Sequence, residues 1–210
     1  KTRRDILRSK MPKNSVAVVF ANPIRNRAND VDYVFHQDPN FYYLTGCREP
    51  NAVLVLFSEN KINNKGETYN EMIFVQERNP RIEMWNGSRL GVEGAKKELG
   101  FEQAFKGIDF INMPINFQEF DKIFVRKFRD DYRDAYAEKA DIYDLIESFK
   151  EKSNYNQIVN SKTKVEKFTE LNLKPKNNID LWFLDKNLAT MREVKTKAEF
   201  KLLTKAVRIS

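Results

Sequence analysis

An α/β layered domain is the fold class this sequence predicts, and three observations predict it. Short, nearly continuous apolar runs rich in β-branched residues recur: SVAVVF at Ser15 to Phe20, AVLVLF at Ala52 to Phe57 and MIFV at Met72 to Val75. Runs of that length, without polar alternation, are strands covered on both faces. Segments with helical spacing alternate with them, which layers helices on a sheet. The composition also suits a packed core: 41% hydrophobic and 12% aromatic, against 7 Gly and 7 Pro in 210 residues, excludes a low-complexity or disordered chain.

The elements follow in chain order. Thr2 is a candidate N-cap for a short amphipathic helix carrying Ile6, Leu7 and Met11, which Pro12 ends. The first strand, Ser15 to Phe20, is bounded by Asn14 and Asn22-Pro23, and the strands at 52–57 and 72–75 repeat its pattern. VEGAKKEL, Val92 to Leu99, reads as a helix stopped by Gly100, and KIFVRK, Lys122 to Lys127, as a further strand. From Asp134 to Lys150, Tyr136, Ala140, Tyr143, Ile146 and Lys150 fall at helical spacing on an expected amphipathic helix. Glu151 to Asn178 is polar and rich in Lys and Asn, which predicts a surface connection with a short helix anchored by Val165, Phe168, Leu171 and Leu173. Apolar content returns at Asp180 to Leu188. Thr196-Lys197-Ala198-Glu199 fits a capping box and predicts a helix whose apolar stripe is Phe200, Leu203, Ala206 and Val207. That stripe reaches Ser210 without a stop signal, so the sequence reads as the N-terminal piece of a longer chain.

One histidine and one cysteine, both within HQDPNFYYLTGCREP at 36–50, exclude an internal disulfide and a Cys/His zinc site. His36 has the chemistry of a general base or metal ligand, with Asp38 and Glu49 nearby in sequence, but a lone His among aromatics is more often structural. Cys47, without a second thiol, reads as inert and buried. Asp130, Asp131 and Asp134 form a carboxylate group beside Arg129 and Arg133, read as a solvated helix start rather than a metal site. Phe41, Tyr42 and Tyr43 are assigned to core packing rather than base stacking. Trp85 differs: beside Asn86-Gly87 it falls in an expected turn, where a large aromatic is hard to bury and suits contact with a ligand or partner. The net charge of +7 is spread along the chain rather than gathered in an arm, which argues against nucleic-acid binding. No apolar run approaches the roughly 20 residues of a membrane span, and cysteine usage makes the cytoplasm the expected compartment.

Three motifs together resemble the N-terminal domain of Xaa-Pro aminopeptidases (aminopeptidase P), in the creatinase and prolidase group. They are YVFHQDPNFYYLTGCREPNAVLVLF from Tyr33, IEMWNGSRLG from Ile82 and MREVKTKAEFKLLTKAVRI from Met191. The resemblance implies a layered mixed sheet with flanking helices, ribonuclease H-like, over residues 1–190. Residues 191–210 would then begin the linker helix into a C-terminal pita-bread catalytic domain. It further implies a parent that removes an N-terminal residue preceding proline, with two manganese ions or another divalent metal held outside this stretch, so that no catalytic or metal-ligating residue and no cofactor belongs here. The domain's expected work is homo-oligomer assembly and shaping of the active-site entrance for peptide substrates. By resemblance, Asp30 reaches a neighbouring subunit's site and Trp85 narrows the entrance. The 36–50 stretch is then a structural signature joining a turn to a central strand. A pita-bread protein that has lost its metal site and serves as a scaffold is the alternative.

Overall fold

The computed structural model describes residues 1–129, 131–132, 139–159 and 178–209. The chain forms α1 (Thr2–Ser9), β1 (Ser15–Phe20), a hairpin of β2 (Asn26–Ala28) and β3 (Val31–Asp32), α2 (Pro39–Thr45), β4 (Val53–Ile62) and β5 (Thr68–Val75). It continues through α3 (Pro80–Asn86), α4 (Gly91–Lys97), β6 (Ala104–Lys106), α5 (Gly107–Asn112) and β7 (Lys122–Phe124). The last elements are α6 (Ile142–Ser153), α7 (Tyr155–Val159), β8 (Ile179–Asp180), α8 (Phe183–Glu193) and α9 (Lys197–Ile209).

The α/β class holds. Six strands form one mixed sheet in the order β6-β5-β4-β1-β7-β8. Side chains alternate across each strand, so the continuous apolar runs feed two cores. Ala17, Val19, Leu54, Leu56, Ile73 and Val75 face α1, α2, α4 and α8 through Leu7, Phe41, Ala95 and Leu184. Val16, Val18, Val53, Val55 and Phe74 face α5 and α6 through Phe110, Leu145, Ile146 and Phe149.

Two polar devices fix the layers. Arg4 of α1, 1% exposed, donates from Nε and Nη2 to both oxygens of Glu71 in β5, at 2.7 and 3.0 Å, and from Nη1 to the Leu44 carbonyl at 3.0 Å. On the other face Lys152 donates to the carbonyls of Phe110, Ile111 and Met113 at 2.5, 2.8 and 2.9 Å, placing a cation at the C-terminal end of α5.

Some expectations change. Thr2 lies inside α1, whose N-cap position is Lys1, and it makes no capping hydrogen bond. The helix expected from Asp134 begins at Ile142: Asp141 caps it and Ala140, at φ 60°, turns the chain just before it. Tyr136 and Asp134 lie outside the described residues, as do Val165, Phe168, Leu171 and Leu173; residues 151–153 are the last turn of α6. The capping box at Thr196 is present: the Thr196 amide donates to Glu199 Oε2 at 2.9 Å and the Glu199 amide to Thr196 Oγ1 at 3.2 Å. Among the described residues no helix is long and apolar enough to cross a membrane.

Candidate functional site

Strand direction decides where a site can lie. β4 is antiparallel to both β1 and β5, β6 is parallel to β5, and β7 and β8 run parallel to β1. Five strands therefore end on one edge of the sheet, at Phe20, Val75, Lys106, Phe124 and Asp180. Open α/β sheets place ligands outside these carboxyl ends.

The 36–50 stretch is built onto this edge as a capped helix rather than a turn. Asp38 Oδ1 accepts the amides of Asn40 and Phe41, both at 2.9 Å, Pro39 occupies the first turn, and Gly46 closes α2 at φ 74°. Asp38 Oδ2 takes Arg126 Nη1 at 2.8 Å, and Arg126 Nε donates to Asp185 Oδ1 at 2.6 Å, so one guanidinium just past β7 joins the starts of α2 and α8. Gln37 Oε1 accepts the Asn22 amide at 2.9 Å while its Nε2 donates to the Glu49 carbonyl at 2.6 Å. The expected structural role of this stretch follows from these bonds. His36 is exposed, its carbonyl accepting from Asn22 Nδ2. Cys47 is 1% exposed and burial pushes its thiol up to about 11, an inert group at neutral pH. Phe41 is fully buried as expected, whereas Tyr42 is 41% exposed.

Both residues singled out for the entrance sit on connections leaving this edge. Asp30 is exposed in the turn between β2 and β3, after β1. Val31, Tyr33 and Val34 around it are also exposed, Val34 by 85%. Trp85 lies after β5, in the last turn of α3 rather than in a free turn; Asn79 caps that helix and Pro80 begins it. Trp85 is 84% and Met84 78% exposed. Of the carboxylate group at 130–134, Asp131 pairs with Arg25 at 2.8 Å, which holds its carboxyl below the usual range, and Asp130 and Asp134 lie outside the described residues. Among the described residues no three His, Cys, Asp or Glu side chains converge to hold a metal ion.

A second feature of the edge had no sequence signature. A cleft of about 430 Å³ opens between the ends of β5 and β6, lined by Arg78, Arg89, Lys106 and Lys139 together with Ile82 and Ile108. Its cations come from four separate segments, so no local spacing betrays it. Gly91 sets Arg78: at φ 64° it carries no Cβ, and one placed there would meet Arg78 Cγ at 2.6 Å.

Glu49 anchors the loop below Trp85. Its Oε1 accepts the Leu90 amide, and Oε2 is buried without a hydrogen bond. Burial raises the Glu49 carboxyl above its ordinary value, with the Leu90 amide opposing. The native state thus binds a proton that the unfolded chain has already released, and this contribution to stability is lost as pH rises from the unfolded value through the raised folded one. Glu49→Gln keeps an acceptor for the Leu90 amide and does not titrate. The variant should therefore gain on the wild type in urea unfolding midpoints as pH rises above the ordinary carboxylate value of about 4. A difference that stays flat with pH would show that Glu49 does not titrate in this window.

The model of the "Aminopeptidase P, N-terminal domain" family matches residues 1–114. The chain is 41% identical over 105 residues to "Intermediate cleaving peptidase 55" of Schizosaccharomyces pombe, covering 50% of this chain and 21% of that protein. It is 38% identical over 108 residues to a Xaa-Pro aminopeptidase of Haemophilus influenzae, covering 51% and 24%. A solved Escherichia coli aminopeptidase P variant in complex with substrate matches at a TM-score of 0.70 and 26% identity, over 99% of this chain and 41% of that one. The chain thus spans about a quarter or less of these two curated relatives and about two fifths of that structure.

Proposed function

The chain belongs to the aminopeptidase P N-terminal domain family, and from that premise we propose that it is the non-catalytic N-terminal domain of a metalloaminopeptidase that releases the residue before a proline. Its work is to shape the active-site entrance and to support assembly with further copies. The observation that carries this reading is the exposure of Trp85 and Asp30 on two connections leaving the carboxyl edge. An indole offers an apolar wall to a passing peptide, and a carboxylate pairs with a substrate ammonium or with an arginine of a neighbouring site. The exposed Val31, Tyr33 and Val34 beside Asp30 suit contact with another subunit.

The described residues do not fit a metal pair. Asp38, Glu71, Asp131 and Asp185 are each engaged by arginine. On this reading the two metal ions lie in a catalytic domain that residues 191–210 lead into. The exposed side chains of α9, including Phe200 at 66%, Leu202 at 68% and Val207 at 75%, support a covering domain there.

In the full-length parent, Trp85→Ala or Asp30→Ala should change the ratio of kcat/KM between a tripeptide and a longer Xaa-Pro peptide by about fivefold or more, the size of a lost interface anchor. Unchanged ratios for both variants would remove these residues from the entrance.

A further inference from the structure

We propose that the basic cleft beside α3 is a carboxylate subsite, which holds the C-terminal carboxylate of a short peptide lying past Trp85. This rests on the entrance reading for its substrate class, but its chemistry stands on the cleft itself. Arg78, Arg89, Lys106 and Lys139 line a cleft of about 430 Å³, within the range of small-ligand sites.

Arg78 and Lys106 keep donors to offer, while Arg89 is already engaged, its Nη1 donating to the Glu77 carbonyl at 3.4 Å. Arg78 gives Nε and Nη2 to Glu83 at 3.3 and 2.8 Å, two of its five N–H groups, and the Lys106 ammonium pairs with Glu77 through one of three. The Lys106–Glu77 pair is exposed on both sides, so it contributes little and exchanges readily for a ligand carboxylate, whereas Glu83 is largely buried and holds the otherwise exposed Arg78 in place. Ile82 and Ile108 give the cleft an apolar flank for the side chain next to that carboxylate. Ile82 also stands three residues before Trp85 on α3, which puts the two on one side of the helix, about one turn apart.

A carboxylate is favoured over a phosphate. Glu77 on the wall and Glu83 behind Arg78 partly neutralise the cleft, which tolerates a single negative charge better than a double one. The planar Arg78 fork also matches a carboxylate.

The test follows backbone amides of the ¹⁵N-labelled chain by NMR while Gly-Pro-Leu, its C-terminal amide or inorganic phosphate is added. The free acid should shift Arg78, Gly107 and Ile108, and the shifts should fade as salt is raised. The amide should leave them in place. Equal shifts with acid and amide, equal or larger shifts with phosphate, or shifts confined to other regions would each overturn the proposal. In the full-length parent, Arg89→Gln combined with Lys139→Met should lower the acid-over-amide ratio of kcat/KM by about tenfold; an unchanged ratio would count against the subsite. The NMR readout needs no peptidase activity, so a failed entrance reading and a failed subsite are distinguishable.

Discussion

Arg4→Ala and Glu71→Ala should each destabilise the domain by about 3–5 kcal/mol, because either change leaves its partner as an uncompensated buried charge. Arg4 is 1% and Glu71 7% exposed, and the guanidinium lies 4.0 Å from the centre of the Phe101 ring. The double variant Arg4→Met/Glu71→Leu should recover most of the loss, since apolar groups of similar size remove both desolvation penalties at once. Urea unfolding with an unchanged m-value would read all three. Additive single effects would mean that the two side chains act independently. The consequence reaches the edge of the sheet: Arg4 also holds the Leu44 carbonyl near the end of α2, so its loss should loosen the 36–50 stretch before the central strand.

That pair also marks the limit of what the sequence reveals. Arg4 and Glu71 are 67 residues apart, and neither position differs in type from the many surface charges around it. β1, β4 and β5 were legible because burial on both faces writes an unbroken apolar run. β6 and β8, three and two residues long, are too short to carry a pattern, and the β2–β3 hairpin is exposed throughout, so no apolar constraint shapes it. α2 carries its own punctuation and still reads as a turn in the sequence: Asp38-Pro39 followed by Gly46 is an N-cap, a first-turn proline and a left-handed C-cap, but the helix between is only seven residues. The same holds for α3, where Asn79-Pro80 opens the helix that presents Trp85. Asp30 is singled out by motif resemblance alone, whereas Trp85 also stands out as a large aromatic beside Asn86-Gly87. The cleft at Arg78 is marked by neither signal, because its residues meet only once β5 and β6 lie side by side.

Phe149→Ala should cost a further large amount, about 3–5 kcal/mol, with an effect on the site as well as on the fold. Phe149 is fully buried and meets Phe20, Phe117 and Phe128 edge-on, with ring centres 5.7, 5.1 and 5.9 Å away. Phe20 ends β1 and Phe128 follows β7, so this cluster supports two of the five strand ends that form the edge. Phe149→Leu, which keeps part of the buried volume but loses the ring contacts, should cost less than the alanine variant. Phe110 packs on Phe20 and Phe117 as well, at 6.3 and 6.4 Å, so Phe110→Ala and Phe149→Ala share a cavity and their effects should not add. Hydrogen exchange separates a local from a global loss: amides at 20–22 and 125–128 should lose protection beyond the drop in global stability. If protection falls equally across the sheet, the cluster serves the core alone, and the carboxyl edge is held by the Gln37, Asp38 and Arg126 hydrogen bonds instead.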